Sequence, residues 1–434
     1  MKNIIIILIV SFQLLSAQTF DGASLGMAGN YSAHSRGINA IAWNPANLSM
    51  YRASNFELNL VAINAALSSG LSISDYNTYF TDAGHNGRWS KNDRHEIIDL
   101  FSGKGLGLEM DLNTNLLGFV SGNFGFGIQF ISSGNANIKA GKPLEIFLFG
   151  ETFERDYSFS EKDVLDASFY SAIKNSIAYS YMIKLDRRKY TFSHLSFGVN
   201  LNYYLGLAVA QSQQSSVNMQ RIDTGGLESR EEMFRYQTDV EARTSDPTNG
   251  LAGKGFGLDF GISTRFARAW HVSLSFSNLF AKINWDGNPQ TVNYSRIDST
   301  YWFAESGQDT SYTTEVKTQG KSFSTPLPTI MRAGVRLRLL YNLTLTADWH
   351  QGLNNSFGNS TVPRIGAGAE YKPFKWLPLR SGMAVGGKDT FLFGIGSGLH
   401  FSFMELDFSY AMRKALLPIY SDGFYTAFSL KFLL

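Results

Sequence analysis

Cysteine is absent from this 434-residue chain. Its absence excludes a disulfide framework, a thiol nucleophile, a cysteine-ligated zinc and a lipid anchor on cysteine. An excess of charge of either sign is missing too: 38 Lys+Arg stand against 36 Asp+Glu, a formal net charge of +2. Nucleic-acid binding needs a basic face to displace phosphate counterions, and this balance gives it no support. Charged residues as a whole are scarce, at 17% where an ordinary soluble chain carries about 25%. Beyond the N-terminus no stretch approaches the roughly 18 uninterrupted apolar residues of a membrane helix, and a mean hydropathy of -0.11 is too polar for a helical membrane bundle. What the chain has in quantity is 34 Phe, 20 Tyr and 41 Gly. Few charges, many aromatics and middling hydropathy suit a transmembrane β-barrel, whose strands average an apolar outside with a polar inside.

The N-terminus reads as an export signal. Lys2 precedes an apolar run from Ile4 to Val10, extended through Phe12, Leu14 and Leu15 to Ser16-Ala17. That run is too short to span a bilayer as a helix and has the length of a signal-peptide core. The expected organisation is a signal peptide over 1–17, cleaved after Ala17, and a mature chain in the outer membrane of a Gram-negative cell.

A period of two runs through the rest. Leu195, Phe197, Val199, Leu201, Tyr203, Leu205, Leu207 and Val209 alternate with small or polar residues, and alternate side chains of a strand project to opposite faces. Similar alternation places strands at 55–67, 108–119, 123–131, 169–184, 195–210, 255–267, 271–284, 330–340, 343–350, 363–372, 378–386, 391–401, 404–413 and 424–434. Short connections (120–122, 268–270, 341–342, 373–377, 402–403) alternate with connections of roughly 40 residues (68–107, 132–168, 211–254, 285–329), the parity of short periplasmic turns and long external loops. The fold class is therefore all-β, a transmembrane antiparallel β-barrel of about 14 strands over 51–434. The alternative of 16 arises because 231–243 also alternates; it is assigned to a loop hairpin.

Residues 18–50 show no such period. They are rich in small residues, with Gly26, Gly29 and Gly37, and contain Trp43-Asn44-Pro45-Ala46. A segment of this kind can fold into the lumen as a plug. Pro45 fixes its own φ and keeps Asn44 extended, making a rigid bend; Asn44 offers a donor and an acceptor to strand backbone, and Ala46 is small enough to sit against the wall. Here the chain resembles the FadL-like family of outer-membrane channels for hydrophobic compounds, whose N-terminal hatch carries an Asn-Pro-Ala motif before the first strand. The hatch pattern is also similar to that of PorV-like barrels. The runs Pro363–Tyr371 and Leu379–Gly382 resemble the C-terminal half of that superfamily, and the insert Phe101–Gly107 is most similar to an uncharacterised Bacteroidota-type branch, a domain of unknown function. The resemblance implies a passive channel for hydrophobic small molecules or, as the alternative, a PorV-like scaffold with a closed lumen and a protein partner. Outer-membrane lipid is the expected surrounding.

Chemistry-bearing motifs are few. Gly387-Lys388 is followed by Asp389 where a phosphate loop needs Ser or Thr. The seven histidines include no i, i+4 pair, so neither a local metal site nor a cofactor is expected, and no catalytic set stands out. The triplets Gly253/Gly255/Gly257 and Gly394/Gly396/Gly398 admit close backbone approach, and the plug is expected to use it. Alternation places Arg332, Arg336, Arg338, Asp348, Arg364, Glu370, Arg380, Glu405, Asp407 and Arg413 inside, because on the lipid face each would cost a few kcal/mol. Cross-strand ion pairs are the expectation for them, with a polar site for a substrate head group as the alternative. Two external helices are expected. One spans 90–102, with a Ser90/Asp93 capping box, an apolar stripe of Ile97, Ile98 and Phe101, and a stop at Gly103. The other spans 143–150, with Leu144, Phe147 and Leu148. They would cover each other as a lid or form an external apolar platform.

Overall fold

The computed structural model describes residues 21–434 except 51–53, 86–88, 102–104, 140, 142–143, 146–147, 149–157, 187–190, 224–231, 249, 268 and 303–309. The expected signal peptide and its cleavage site at Ala17 lie outside the described residues.

Fourteen antiparallel strands close into one barrel. They are β1 Phe56–Ser68, β2 Leu106–Ser121, β3 Phe124–Ile138, β4 Leu165–Lys184, β5 Phe192–Asp223, β6 Gly253–Phe266, β7 Trp270–Trp285, β8 Ile330–Arg338, β9 Leu343–Gly352, β10 Arg364–Phe374, β11 Leu377–Gly386, β12 Thr390–His400, β13 Met404–Arg413 and β14 Gly423–Leu433. Each pairs with the next, and β14 returns to β1, with Leu58 opposite Phe432 and Ser68 opposite Gly423. Closure satisfies the edge amides that an open sheet would leave bare in lipid. Among the described residues no helix is long and apolar enough to cross a membrane.

The period of two sets the faces. On β5, Val199 and Leu201 are exposed outward while Asn200, Asn202 and Tyr204 are buried in the lumen. On β14, Tyr425, Ala427 and Ser429 are buried. At the end carrying the short turns, Phe374 stacks on Trp376 and Phe401 on Phe403, beside the exposed Tyr341. Aromatic rings gathered at one level form the girdle of a membrane interface. Along β7 the outward residues are apolar from Trp270 through Phe280, then turn polar at Lys282 and Asn284 while Ile283 and Trp285 face inward. Ten residues at about 3.3 Å each, tilted as barrel strands are, cover about the 25 Å of an apolar band. The strand leaves the band at Phe280.

Beyond that level the long connections carry strands of their own, which the alternation expected as loops. β5 runs to Asp223 rather than ending at 210, and its extension pairs with Glu232–Ser245. That strand, the expected loop hairpin, pairs in turn with Pro289–Trp302, and this last with Thr310–Gln319. On the other side Ser158–Lys162 joins the extension of β5. These polar strands form a ledge, so the count of 14 in the barrel stands and 16 does not. The helix expected over 90–102 is α3, Lys91–Phe101 (numbered after the two hatch helices α1, Gly22–Gly26, and α2, Ile38–Trp43). Its capping box is present: Ser90 N–H donates to Asp93 Oδ2 at 2.7 Å and Asp93 N–H to Ser90 Oγ at 3.2 Å. Ile97 is buried, Ile98 and Phe101 are partly so. Of the second expected helix, Leu144 and Leu148 are helical and Leu148 is buried, whereas Phe147 lies outside the described residues, as does the Gly103 stop. Ile97 and Leu148 thus turn inward; they do not form an exposed platform.

Candidate functional site

Residues 21–50 occupy the lumen, where nearly every side chain is buried. Asp21 starts α1 with a capping box, its Oδ1 accepting from Ala23 and Ser24 N–H. One arc of the wall, β10 to β14, receives this first half of the hatch by removing its own side chains. A Cβ at Gly382 would collide with the backbone of Met27, one at Gly394 with the Leu25 carbonyl, and one at Gly396 with Gly26 and Ser409. Ser409 Oγ donates to Gly22 O, and Asn30 Nδ2 donates to Ala367 O at 3.0 Å and Met383 O at 3.1 Å. The second glycine triplet therefore serves the hatch as expected at Gly394 and Gly396. The first does not: Gly253, Gly255 and Gly257 face Asn284, Lys282 and Ala281 of neighbouring β7 and the Trp285 ring. They make room for the wall's own large inward residues.

Gly29 and Gly37 both adopt positive φ (74° and 54°) and turn the chain between the helices. At Gly37 a side chain would also run into the Glu57 carboxylate, whose Oε2 accepts the Ile38 N–H at 2.9 Å. α2 then leads to Asn44, extended at φ -156°, and to a short 3-10 turn, Pro45–Ser49. Asn44 Nδ2 donates to Ile262 O on β6 and Leu274 O on β7, both at 3.3 Å. Its acceptor is not spent on strand backbone, as the sequence reading expected, but on the Ala46 N–H inside the motif at 3.0 Å. Ala46 and Pro45 press against Gly198, where a Cβ would collide with them. Trp43 is buried, its carbonyl accepting from Ser275 Oγ at 2.9 Å, and Arg332 lies over its ring at 5.2 Å.

The lumen charges fall where alternation placed them, and many pair. Glu370 and Arg380 are register partners on β10 and β11, joined at 2.8 Å; Glu405 and Lys431 are partners on β13 and β14, joined at 2.6 Å. Asp407 accepts from Arg380 and from His400 at 2.8 Å. His400, Glu405 and Asp407 sit close enough to suggest a metal site, but Arg380 and Lys431 already occupy the carboxylates, so the group is an ion-pair network. Arg413 reaches Glu109 and Asp422, each at 3.5 Å. Other charges bind the hatch instead: Asp348 Oδ2 accepts the Ser32 N–H at 2.8 Å, and Arg364 donates to Ala28 O. Arg332 donates to Ser277 Oγ at 2.7 Å. Arg338 reaches the Tyr341 carbonyl at the rim. Arg336 makes neither a hydrogen bond nor an ion pair among the described residues.

The feature that sequence reasoning missed is an interruption in the wall. β7 bonds to β8 from Trp270 to Ser277, and from Lys282 to Trp285 it bonds to Phe323–Pro326. Between these ladders Asn278 and Phe280 both take positive φ (58° and 57°), a conformation expensive for a bulky side chain. Register also shifts twice against β6. Leu327 N–H donates to Ala281 O at 3.0 Å, and over the rest of the gap side chains do the closing. Asn278 N–H donates to Asp259 Oδ1 at 2.6 Å, Asn278 Nδ2 to Pro328 O at 2.8 Å, Tyr204 OH to Asn278 Oδ1 at 2.7 Å, and Thr329 Oγ1 to Asn278 O at 3.1 Å. Outside stands Phe280, 87% exposed; inside lies an apolar cluster including Tyr170, Tyr204, Ile283, Trp285, Leu327 and Phe357. The buried Asp259 also accepts from Asn200 Nδ2 at 2.8 Å, and Asn200 Nδ2 lies 3.3 Å from the hatch carbonyl of Ile41. Hatch and interruption thus share one hydrogen-bonded chain. The sequence held a weak signal, an asparagine where the outward residues are about to change polarity.

The profile of a family of unknown function, DUF5723, matches residues 45–407. No curated protein matches the chain in sequence. Among solved structures the chain is similar to the Ralstonia pickettii toluene transporter TbuX (12% identity, TM-score 0.46, covering 96% of this chain and 97% of that one) and to the P. putida toluene transporter TodX (12%, 0.49, 96% and 97%). It is likewise similar to a Pseudomonas aeruginosa FadL homologue (13%, 0.46, 96% and 99%).

Proposed function

We propose that this chain, which belongs to the DUF5723 family, is an outer-membrane barrel that passes hydrophobic small molecules without catalysis or an energy source. The observation that carries the reading is the interruption between β7 and β8, placed at the edge of the apolar band and backed by an apolar cluster. A continuous ladder is held by backbone bonds that have no alternative partner in lipid. Where side chains do the closing, a rotamer change opens the wall without exposing a strand edge. An apolar solute gains from leaving water for the cluster lined by Tyr204, Trp285 and Leu327, in proportion to the area it buries. Its route is lateral, between the cluster and the outer interface past Phe280. The hatch governs that route, because Asn200 and Asp259 tie Ile41 to Asn278.

The experiment is uptake of an environment-sensitive hydrophobic dye into proteoliposomes carrying the purified barrel. Uptake faster than with empty liposomes, raised further in Asn278→Ala and slowed in Leu327→Arg barrels that fold normally, supports the reading; a rate equal to empty liposomes rejects it. The scaffold alternative draws on the ledge, where Thr310–Gln319 pairs on one side only among the described residues, an arrangement that accepts an added strand.

A further inference from the structure

The mouth at the short-turn end holds a second cavity that the transport reading does not use. It measures about 640 Å³ and lies between the hatch and the wall. Its lining contains seven Lys/Arg against four Asp/Glu, and the imbalance is not spread evenly. On the β10–β14 side Glu370, Glu405 and Asp407 neutralise Arg380, Lys431 and Lys372 at 2.5 to 3.5 Å. On the β6–β8 side Arg336 and Arg338 line the cavity, and Arg36 of the hatch lines it with them.

Arg336 is the informative member. Its Nε is buried without a hydrogen-bond partner, and no carboxylate lies within ion-pair distance of it among the described residues. The acid that acts on it from farther away, Glu370, is already shared by Arg380 at 2.8 Å, Lys372 at 3.5 Å and His34 at 3.6 Å. Arg36 spends one nitrogen on the carbonyls of Ala33 and Ser35. Burial, and then the like charges of Arg336 and Arg265, pull its guanidinium down to about 9. His271 nearby is buried and bonded to Asn47 Oδ1 at 3.3 Å, so it brings no compensating negative charge. A half-buried guanidinium with unspent donors, facing like charges across a cavity, is costly unless an anion enters. Guanidinium forks match the oxygens of phosphate and hold them with charge-assisted bonds.

We infer that Arg336 and Arg36 form a binding site for a phosphate group at the short-turn mouth, which staples the hatch to the β6–β8 wall. The group is a free phosphate or the head of an anionic phospholipid at the rim; the chemistry of capture is the same. The site is independent of whether the lumen passes hydrophobic solutes.

Calorimetric titration of the full barrel in detergent with sodium phosphate, at constant ionic strength set by chloride, tests it. Saturable binding is expected, weakened at least tenfold in Arg336→Gln and in Arg36→Gln, and less than threefold in Arg338→Gln at the rim. Arg336→Gln breaks no bond of the fold, and an unchanged heat-dependent gel mobility verifies that each variant is folded. Repeating the titration in phosphatidylglycerol and phosphatidylcholine nanodiscs separates the sources. Loss of the phosphate signal only with phosphatidylglycerol assigns the site to a lipid head; retention in both assigns it to free phosphate. No saturable binding in any medium, or equal affinity in wild type and Arg336→Gln, overturns the proposal.

Discussion

From β8 to β14 the strands pair without a register shift except beside the hairpin at Tyr371/Phe374, whereas from β4 to β7 the ladder shifts at Ser171/Ala172, at Phe192/Leu195 and twice around Leu258. The two arcs also hold the hatch by different means. The regular arc lays the hatch backbone against Gly382, Gly394 and Gly396 and adds bonds from Ser409, Asp348 and Arg364 beside its paired charges. The irregular arc reaches the hatch with side-chain amides and hydroxyls, from Asn200 and Ser275, and receives Asn44. Interlocked backbones yield only when packing fails, while amide contacts exchange one partner for another at about 1 kcal/mol each. Loosening of the hatch is therefore expected first where the wall is irregular, with the other arc as its frame.

Replacing Asp259 by Ala gives the largest effect that tests this contrast. It leaves the Lys174 ammonium, 3.8 Å away, and the Asn278 N–H without their acceptor, so unfolding in denaturant should become easier by about 3–5 kcal/mol and dye uptake should rise. Arg380→Ala on the regular arc takes the nearest cation from Glu370 and Asp407, which keep Lys372 and His400, at a cost of about 3 kcal/mol, yet uptake through the folded fraction should stay unchanged. Equal permeability changes in both would erase the distinction between the arcs.

Next in size is Asn44→Ala combined with Pro45→Gly. Two amide bonds to Ile262 and Leu274 are lost and the bend loses its fixed φ, together about 2 kcal/mol. Hydrogen exchange should then quicken over 38–49 and not over 22–30, which the glycine-lined arc still holds. Uniform quickening would mean that the hatch moves as one piece.

A graded effect is a pH dependence confined to the hatch. Burial first, outweighing the attraction of Glu370, lowers His34 from 6.5 to about 4. A histidine released from the lumen takes up a proton below about 6.5 while the docked one does not. Docking is therefore at full strength above that pH and weakens as pH falls toward 4, by at most about 1.4 kcal/mol per unit. Protease cleavage near 31–37 should rise over this window in the wild type, and His34→Gln should flatten the slope.

The strands themselves were legible because a lipid face and a polar lumen force a period of two on every crossing, from Leu58 to Phe432. The ledge was not: Thr310–Gln319 meets solvent on both faces, so nothing makes its residues alternate. The lumen charges could be placed by parity alone, and register turned Glu370/Arg380 into a pair, but no local pattern distinguishes the unpaired Arg336 from its paired neighbours. Asn44 and Pro45 announced a bend because their backbone preferences are local. The interruption at Asn278 depends on which strand lies opposite after a long connection, and a single chain read in order does not carry that information.

The central claim, that solute crosses the wall between β7 and β8, can be tested by locking that seam. Ser277 and Ile330 are register partners beside the interruption, and the chain has no native cysteine to interfere. In the Ser277→Cys, Ile330→Cys double variant, dye uptake measured before and after reduction should be low when oxidised and return to the wild-type rate when the disulfide is cut. A matching lock on the regular arc, Val385→Cys with Phe391→Cys, should leave uptake unaltered in both states. Full uptake through a barrel whose Ser277–Ile330 seam is quantitatively cross-linked would contradict the account.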